Sequence, residues 1–179
     1  NNIFEYMSHP DETAAIILEP IQGEGGIISL DEHFLKYIEE ICKKYNILFI
    51  ADEVQSGVGR TGSWWNVSQK NVIPDILTFG KAIGSGYPIA GLCTNNRIIN
   101  NAPVKYLGGT YGGNAICSAA ASATIDIINN YNLLDNVQKI GKIIHKYFEN
   151  YKDIIEIRQY GLMIAFDIKT NTISINDII

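Results

Sequence analysis

Residues 47–62 read ILFIADEVQSGVGRTG: five apolar residues without a polar break, then Asp52-Glu53-Val54-Gln55, then a loop with glycine at 57, 59 and 62. An unbroken apolar run predicts a strand buried on both faces, since a strand with one wet face alternates polar and apolar positions. Working outward, AAIIL at 14–18 is a second such run, closed by Glu19-Pro20 and the turn Gln22-Gly23-Glu24-Gly25-Gly26. Between the two runs Asp31 can cap a helix in which Phe34, Leu35, Ile38, Ile41, Cys42 and Tyr45 recur at helical spacing, with Glu39, Glu40, Lys43 and Lys44 on the other face. PDILTF at 74–79 predicts a third strand, stopped by Gly80-Lys81, and IAGLC at 89–93 a fourth. Further on, helices are expected over 115–130, rich in small residues and buried, and over 133–150. Strands are expected at 154–158 and 162–168 around a turn at Gly161. Strand, helix, strand, loop, strand with uniformly apolar strands predicts an α/β fold: a mostly parallel sheet with helices on both faces. A change of layer is expected near 130–150.

Composition narrows the function. Of 179 residues, 46% are hydrophobic and 18% charged, which excludes a disordered chain. The net charge is -5, and no Lys/Arg cluster exceeds Lys43-Lys44, so no nucleic-acid partner is expected. No apolar run reaches the roughly 18 residues of a membrane helix, so no membrane partner is expected either. Cys42, Cys93 and Cys117 lie far apart without CxxC spacing. They predict no metal site and read as small buried thiols in a reducing compartment, the cytoplasm or the mitochondrial matrix. The chain begins Asn1-Asn2-Ile3 and ends Asn176-Asp177-Ile178-Ile179, which reads as an internal piece of a longer protein.

In open α/β sheets ligands bind beyond the carboxyl ends of the strands. Three polar clusters fall there: Glu19 to Glu24, Asp52 to Gln55, and Gly80-Lys81. A carboxylate directly after ILFIA is partly buried and needs a partner, unless Asp52 simply caps its loop. A lysine after a strand ending in glycine can be drawn into a pocket as a nucleophile or base, or can pair with a nearby carboxylate.

Together LEPIQGEGG (18–26), ADEVQSGVGRTG (51–62), PDILTFGKAIGSGYP (74–88) and GGTYGGN (108–114) resemble the class III aminotransferases, the pyridoxal-phosphate enzymes that include 4-aminobutyrate, ornithine and acetylornithine aminotransferases. The resemblance runs from about 13 to 168, with Lys81 twenty-nine positions after Asp52 (81 − 52) and Thr110 as far again (110 − 81). It implies a fold-type I large domain, partly covered by 1–135, with 136–179 forming a linking helix and the start of the small domain. It implies transamination from an ω-amino acid to 2-oxoglutarate, with Lys81 forming the Schiff base to pyridoxal 5'-phosphate. Asp52 would pair with the pyridine nitrogen, Val54 would pack on a ring face, and Gln55 would reach the phenolic oxygen. Thr110 would bind the phosphate of the neighbouring subunit, which implies a homodimer with its active site at the interface. Glu24 matches the gating glutamate, which pairs with an arginine while an ω-amino substrate is bound, and Glu19 would line the substrate side or cap its turn.

The upstream phosphate-gripping loop and stacking aromatic are expected before residue 1, and the gating arginine after residue 179. Arg158, in EIRQYGLMIAFDI, resembles part of the small domain but does not match that arginine. An aminomutase, a decarboxylase or an inactive truncated product are the alternatives. No G-x-G-x-x-G follows the first strand, which argues against a dinucleotide site. Arg60 is expected to brace its loop, Trp64 and Trp65 to pack, and His9, His33 and His145 to be structural, two of them facing solvent.

Overall fold

The structure, a computed structural model, describes residues 8–103 and 108–169. A 3-10 turn at Pro10–Glu12 leads into β1 (Ala15–Leu18), the short hairpin β2 (Ile21–Gln22) and β3 (Ile28–Ser29), and helix α1 (Glu32–Tyr45). Strand β4 (Leu48–Asp52), helix α2 (Asn66–Gln69), β5 (Ile76–Phe79), a 3-10 turn at Lys81–Gly84 and β6 (Gly91–Thr94) follow. The remainder is α3 (Asn96–Ile99), α4 (Ala115–Asn130), α5 (Leu133–Phe148) and the hairpin β7 (Ile154–Tyr160) and β8 (Met163–Ile168).

The sheet order is β1-β4-β5-β6. β1, β4 and β5 are parallel, with Leu18 opposite Ala51 and Ala51 opposite Leu77. β6 runs antiparallel, with Phe79 opposite Gly91. Its direction follows from the connection: the chain returns with only a single 3-10 turn, whereas a parallel neighbour needs a long crossover. β5 begins two residues later than PDILTF suggests. Pro74 has no N–H to give the ladder, and Asp75 instead accepts from Phe49 N at 3.0 Å and donates its own N–H to Phe49 O at 2.8 Å.

Asp31 starts α1 as expected, its Oδ1 accepting from His33 N at 2.8 Å and Phe34 N at 3.3 Å. The helix then lays Leu35 and Cys42 against Ile47, Phe49 and Val72. Burial pushes the Cys42 thiol up to about 11, as an inert core cysteine requires. Ala51, Leu77 and Val67 continue the same face, with Trp65 and Phe79 packed on them 5.6 Å apart, centroid to centroid. Val58, Ile83 and Ile128 close it beyond the strand ends. The opposite face is open at its edges, where Ile17 is 59% and Leu92 57% exposed.

Two expectations about burial fail. Helix α4 buries Cys117, Thr124 and Ile128, the last against Val58 and Ile83, but exposes Ile116 and Ile127, because among the described residues its packing partners lie on one side of it. Cys93 is exposed as well; it sits on β6, at the sheet's edge, beside an apolar groove of about 620 Å³ between that strand and α4.

The β7–β8 hairpin docks on the 57–62 loop through backbone. Leu162 N donates to Arg60 O at 3.0 Å, and beside it the Gln138 side chain of α5 donates from Nε2 to Thr61 O at 2.9 Å. It is therefore the main chain of Arg60 that braces the loop. Gly161 has φ +58, and a side-chain carbon there would come within 2.6 Å of the Thr61 backbone. Only glycine satisfies both conditions.

Leu35→Ala, at a fully buried position, is expected to lower unfolding stability by about 2–5 kcal/mol, read from urea denaturation. The His33 and Phe34 amides hold the Asp31 carboxyl below its usual range. Its stabilisation is therefore complete above the ordinary carboxylate value and lost as pH falls through the lowered one. Asp31→Asn should flatten that acid limb of a stability–pH curve.

Candidate functional site

Because β1, β4 and β5 are parallel and in register, the residues that follow them emerge on one edge of the sheet. After β1, Glu19 turns back on its own loop, Oε2 accepting from Gly23 N at 3.0 Å. In this structure Glu19 caps the turn. The turn tip is tied by Gly26 N and Ile27 N, both donating to Gly23 O, and it leaves Glu24 exposed.

After β4, Asp52 Oδ1 accepts from Val54 N at 3.0 Å, so the loop-cap reading holds for one oxygen. The carboxylate is half-buried, and no cation among the described residues pairs with it. Its register partner Thr78 has a buried Oγ1 without a hydrogen-bond partner. Val54 lies beside Gly80, where a Cβ would meet its Cγ1 at 3.6 Å. The Gln55 amide occupies the space that any side chain on Gly23 would need, which joins the Glu24 turn to the Asp52 turn.

After β5, Lys81 is exposed and carries φ +44, a left-handed backbone that costs a non-glycine residue roughly 1 kcal/mol or more. Such strain concentrates at functional sites. Lys81 makes no ion pair among the described residues, so the carboxylate-partner alternative has no support. Its turn is tethered to α4 by Ser85 Oγ and Thr124 Oγ1, 3.0 Å apart. The structure thus gathers Glu19, Asp52, Val54, Gln55 and Lys81 along one edge. Thr110 is exposed in the turn before α4 and makes no hydrogen bond to that group.

Glu53 was not legible as a site residue. It is fully buried, with Oε2 accepting from Ser56 Oγ at 2.5 Å and Oε1 from Val67 N at 2.8 Å. Its backbone N donates to Thr78 O, and its carbonyl accepts from Gly57 N, both at 2.9 Å. One side chain therefore fixes both ends of the 53–67 loop and the turn carrying Asp52 and Gln55. The sequence signal for it is slight: an acid one residue past a buried strand must face away from its acidic neighbour, back toward the core.

A mostly parallel sheet with an amine, a carboxylate and a carboxamide at its carboxyl edge defines an α/β ligand-binding domain. The chain belongs to the class III aminotransferase family, whose model (Aminotransferase class-III) matches residues 2–179. It is 42% identical over 159 residues to an acetylornithine aminotransferase of Shewanella oneidensis, covering 87% of this chain and 39% of that protein. It is 43% identical over 160 residues to an ornithine aminotransferase of Oceanobacillus iheyensis, covering 88% and 40%. Among solved structures it resembles a taurine:2-oxoglutarate aminotransferase of Bifidobacterium kashiwanohense in complex with pyridoxal phosphate and glutamate, with TM-score 0.84 and 31% identity over 93% of this chain and 39% of that one. The chain spans about two fifths of the length of these relatives.

Glu53→Ala strands the Val67 N–H and the Ser56 hydroxyl in a dry site and should cost about 3 kcal/mol of unfolding stability. Glu53→Gln, which keeps one acceptor, should cost less. Denaturant unfolding of the two variants checks the order.

Proposed function

We propose that this chain supplies the cofactor-binding core of a pyridoxal-phosphate-dependent aminotransferase, moving an amino group from an ω-amino acid of the 4-aminobutyrate, ornithine or acetylornithine type to 2-oxoglutarate. The observation that carries the reading is the pair of charges at the carboxyl edge. Asp52 and Lys81 follow neighbouring parallel strands, and neither has an ionic partner within the described residues. They are charges that call for a ligand, and the donor set fits pyridoxal phosphate. An amine would suit an aldehyde, a carboxylate a ring nitrogen, an amide a phenolic oxygen, and a valine an aromatic face.

When bound, the cofactor supplies a carbonyl that binds amines covalently and a cationic ring that takes up the electron pair of a broken bond. The chain's residues do the rest. The Lys81 amine would hold the cofactor and, as a base of the site, would carry a proton to and from the substrate carbon. The Asp52 carboxylate, oriented by Val54 N, keeps the proton on the ring nitrogen. Val54 would pack on the ring and Gln55 would offer its amide to the phenolic oxygen. The exposed Thr110 suits a phosphate contact from a neighbouring subunit, so we propose a homodimer. Glu24, exposed at the tip of its turn, would meet substrate and exchange an arginine between two unlike substrates. Residues 136–179 would open the second domain.

The purified protein with pyridoxal phosphate should show a visible absorbance band. Borohydride should trap the cofactor on Lys81, and the band should vanish in Lys81→Ala, with transamination down by at least about a thousandfold. Asp52→Asn should keep the covalent link but lower the rate by roughly 10²–10⁴. Absence of any band would overturn the reading.

A further inference from the structure

Arg158 joins two parts of the chain 132 positions apart (158 − 26). On the β7–β8 hairpin its NH1 and NH2 donate to Asp167 Oδ2 and Oδ1 at 2.8 and 2.7 Å, a two-pronged pair, while Glu156 Oε1 lies 3.4 Å from NH1. Its Nε donates to Gly26 O at 2.7 Å. Gly26 belongs to the turn tip that bears Glu24, and the tip's other flank is filled by the Gln55 amide against Gly23. The next residue, Ile27, has φ +56, an unfavourable backbone for a β-branched side chain that persists only where its surroundings hold it.

We propose that Arg158 is a positioning residue for the Glu24 turn and, resting on the aminotransferase reading, a determinant of how the site discriminates its two substrates. The two-pronged pair with Asp167 fixes the guanidinium plane, so that Nε meets the Gly26 carbonyl at one angle and holds the tip from the hairpin side. Gln55 holds it from the β4 side. Clamped at both flanks, the tip's main chain stays still, and Glu24 must move by side-chain rotation alone. Gating then costs only a rotamer change, and the carboxylate returns to the same place each turnover. A lysine at 158 would reach the carbonyl or the carboxylate, but it lacks the fork that serves both.

The experiment uses the intact enzyme with pyridoxal phosphate bound, as Arg158→Ala, Arg158→Lys and Asp167→Asn. Amide hydrogen exchange at Gly26 and Ile27 should speed up at least about tenfold in Arg158→Ala and less in Asp167→Asn, while residues 48–52 keep their protection. Unchanged exchange at 26–27 overturns the clamp, whether or not the enzyme transaminates. If Arg158→Ala fails to fold, Asp167→Asn carries the same test. The ratio of kcat/KM for 4-aminobutyrate to that for glutamate should shift by about fivefold or more in Arg158→Ala with the cofactor's absorbance unaltered. A loosened tip with an unshifted ratio overturns the positioning role. Loss of the cofactor band in the wild-type enzyme would sink the aminotransferase reading instead, leaving the exchange result to decide the clamp.

Discussion

Parallel pairing of β1, β4 and β5 brings three strand ends to one edge, but pairing alone does not aim a side chain. The turn leaving the middle strand is held by Glu53, a carboxylate sealed from solvent and bonded to Ser56 Oγ and Val67 N. With Glu53 turned inward, the alternation of the chain turns Asp52 outward, and Val54 and Gln55 fall beside Gly80 and Gly23. The buried acid thus sets the geometry from which the exposed chemistry follows. A buried carboxylate left without partners would be among the most costly defects a core can carry. Here its bonds reach both ends of a loop that would otherwise be free to shift.

The same economy recurs where segments distant in sequence meet. The hairpin after α5 meets the 57–62 loop through the main-chain bond from Leu162 N to Arg60 O, α5 itself meets that loop through Gln138 at Thr61 O, and the hairpin meets the Glu24 turn through Arg158. These contacts all end on backbone carbonyls, so on the accepting side they depend on where the chain runs and not on which side chains it carries. A family that varies its substrates can change Glu24 and its neighbours while such a frame persists.

Much of this was legible in the sequence because the signals were local. Apolar runs marked β1, β4 and β5, Asp31 marked the start of α1, and Gly161 marked the hairpin turn. The roles suggested for Asp52 and Lys81 rested on four motifs in fixed order, and the structure sets Asp52 at the end of β4 and Lys81 in the turn just past the adjacent β5. What escaped was non-local. The run IAGLC does not say which way a strand points, so the reversal of β6 came only from the length of its connection. The exposure of Ile116 and Ile127 depends on what packs against α4. Glu53 looked like any acid next to another acid, and nothing in EIRQYG announces a partner at Gly26.

The left-handed backbone at Lys81 puts the residue that stands there at odds with the local preference of the fold. Glycine at 81 would adopt φ +44 without strain, so folding stability alone favours losing the lysine. A change to glycine at that position relieves the left-handed strain, so strain alone would carry the sequence downhill toward it. Lys81 is thus a residue that the backbone at this point holds at a cost in strain.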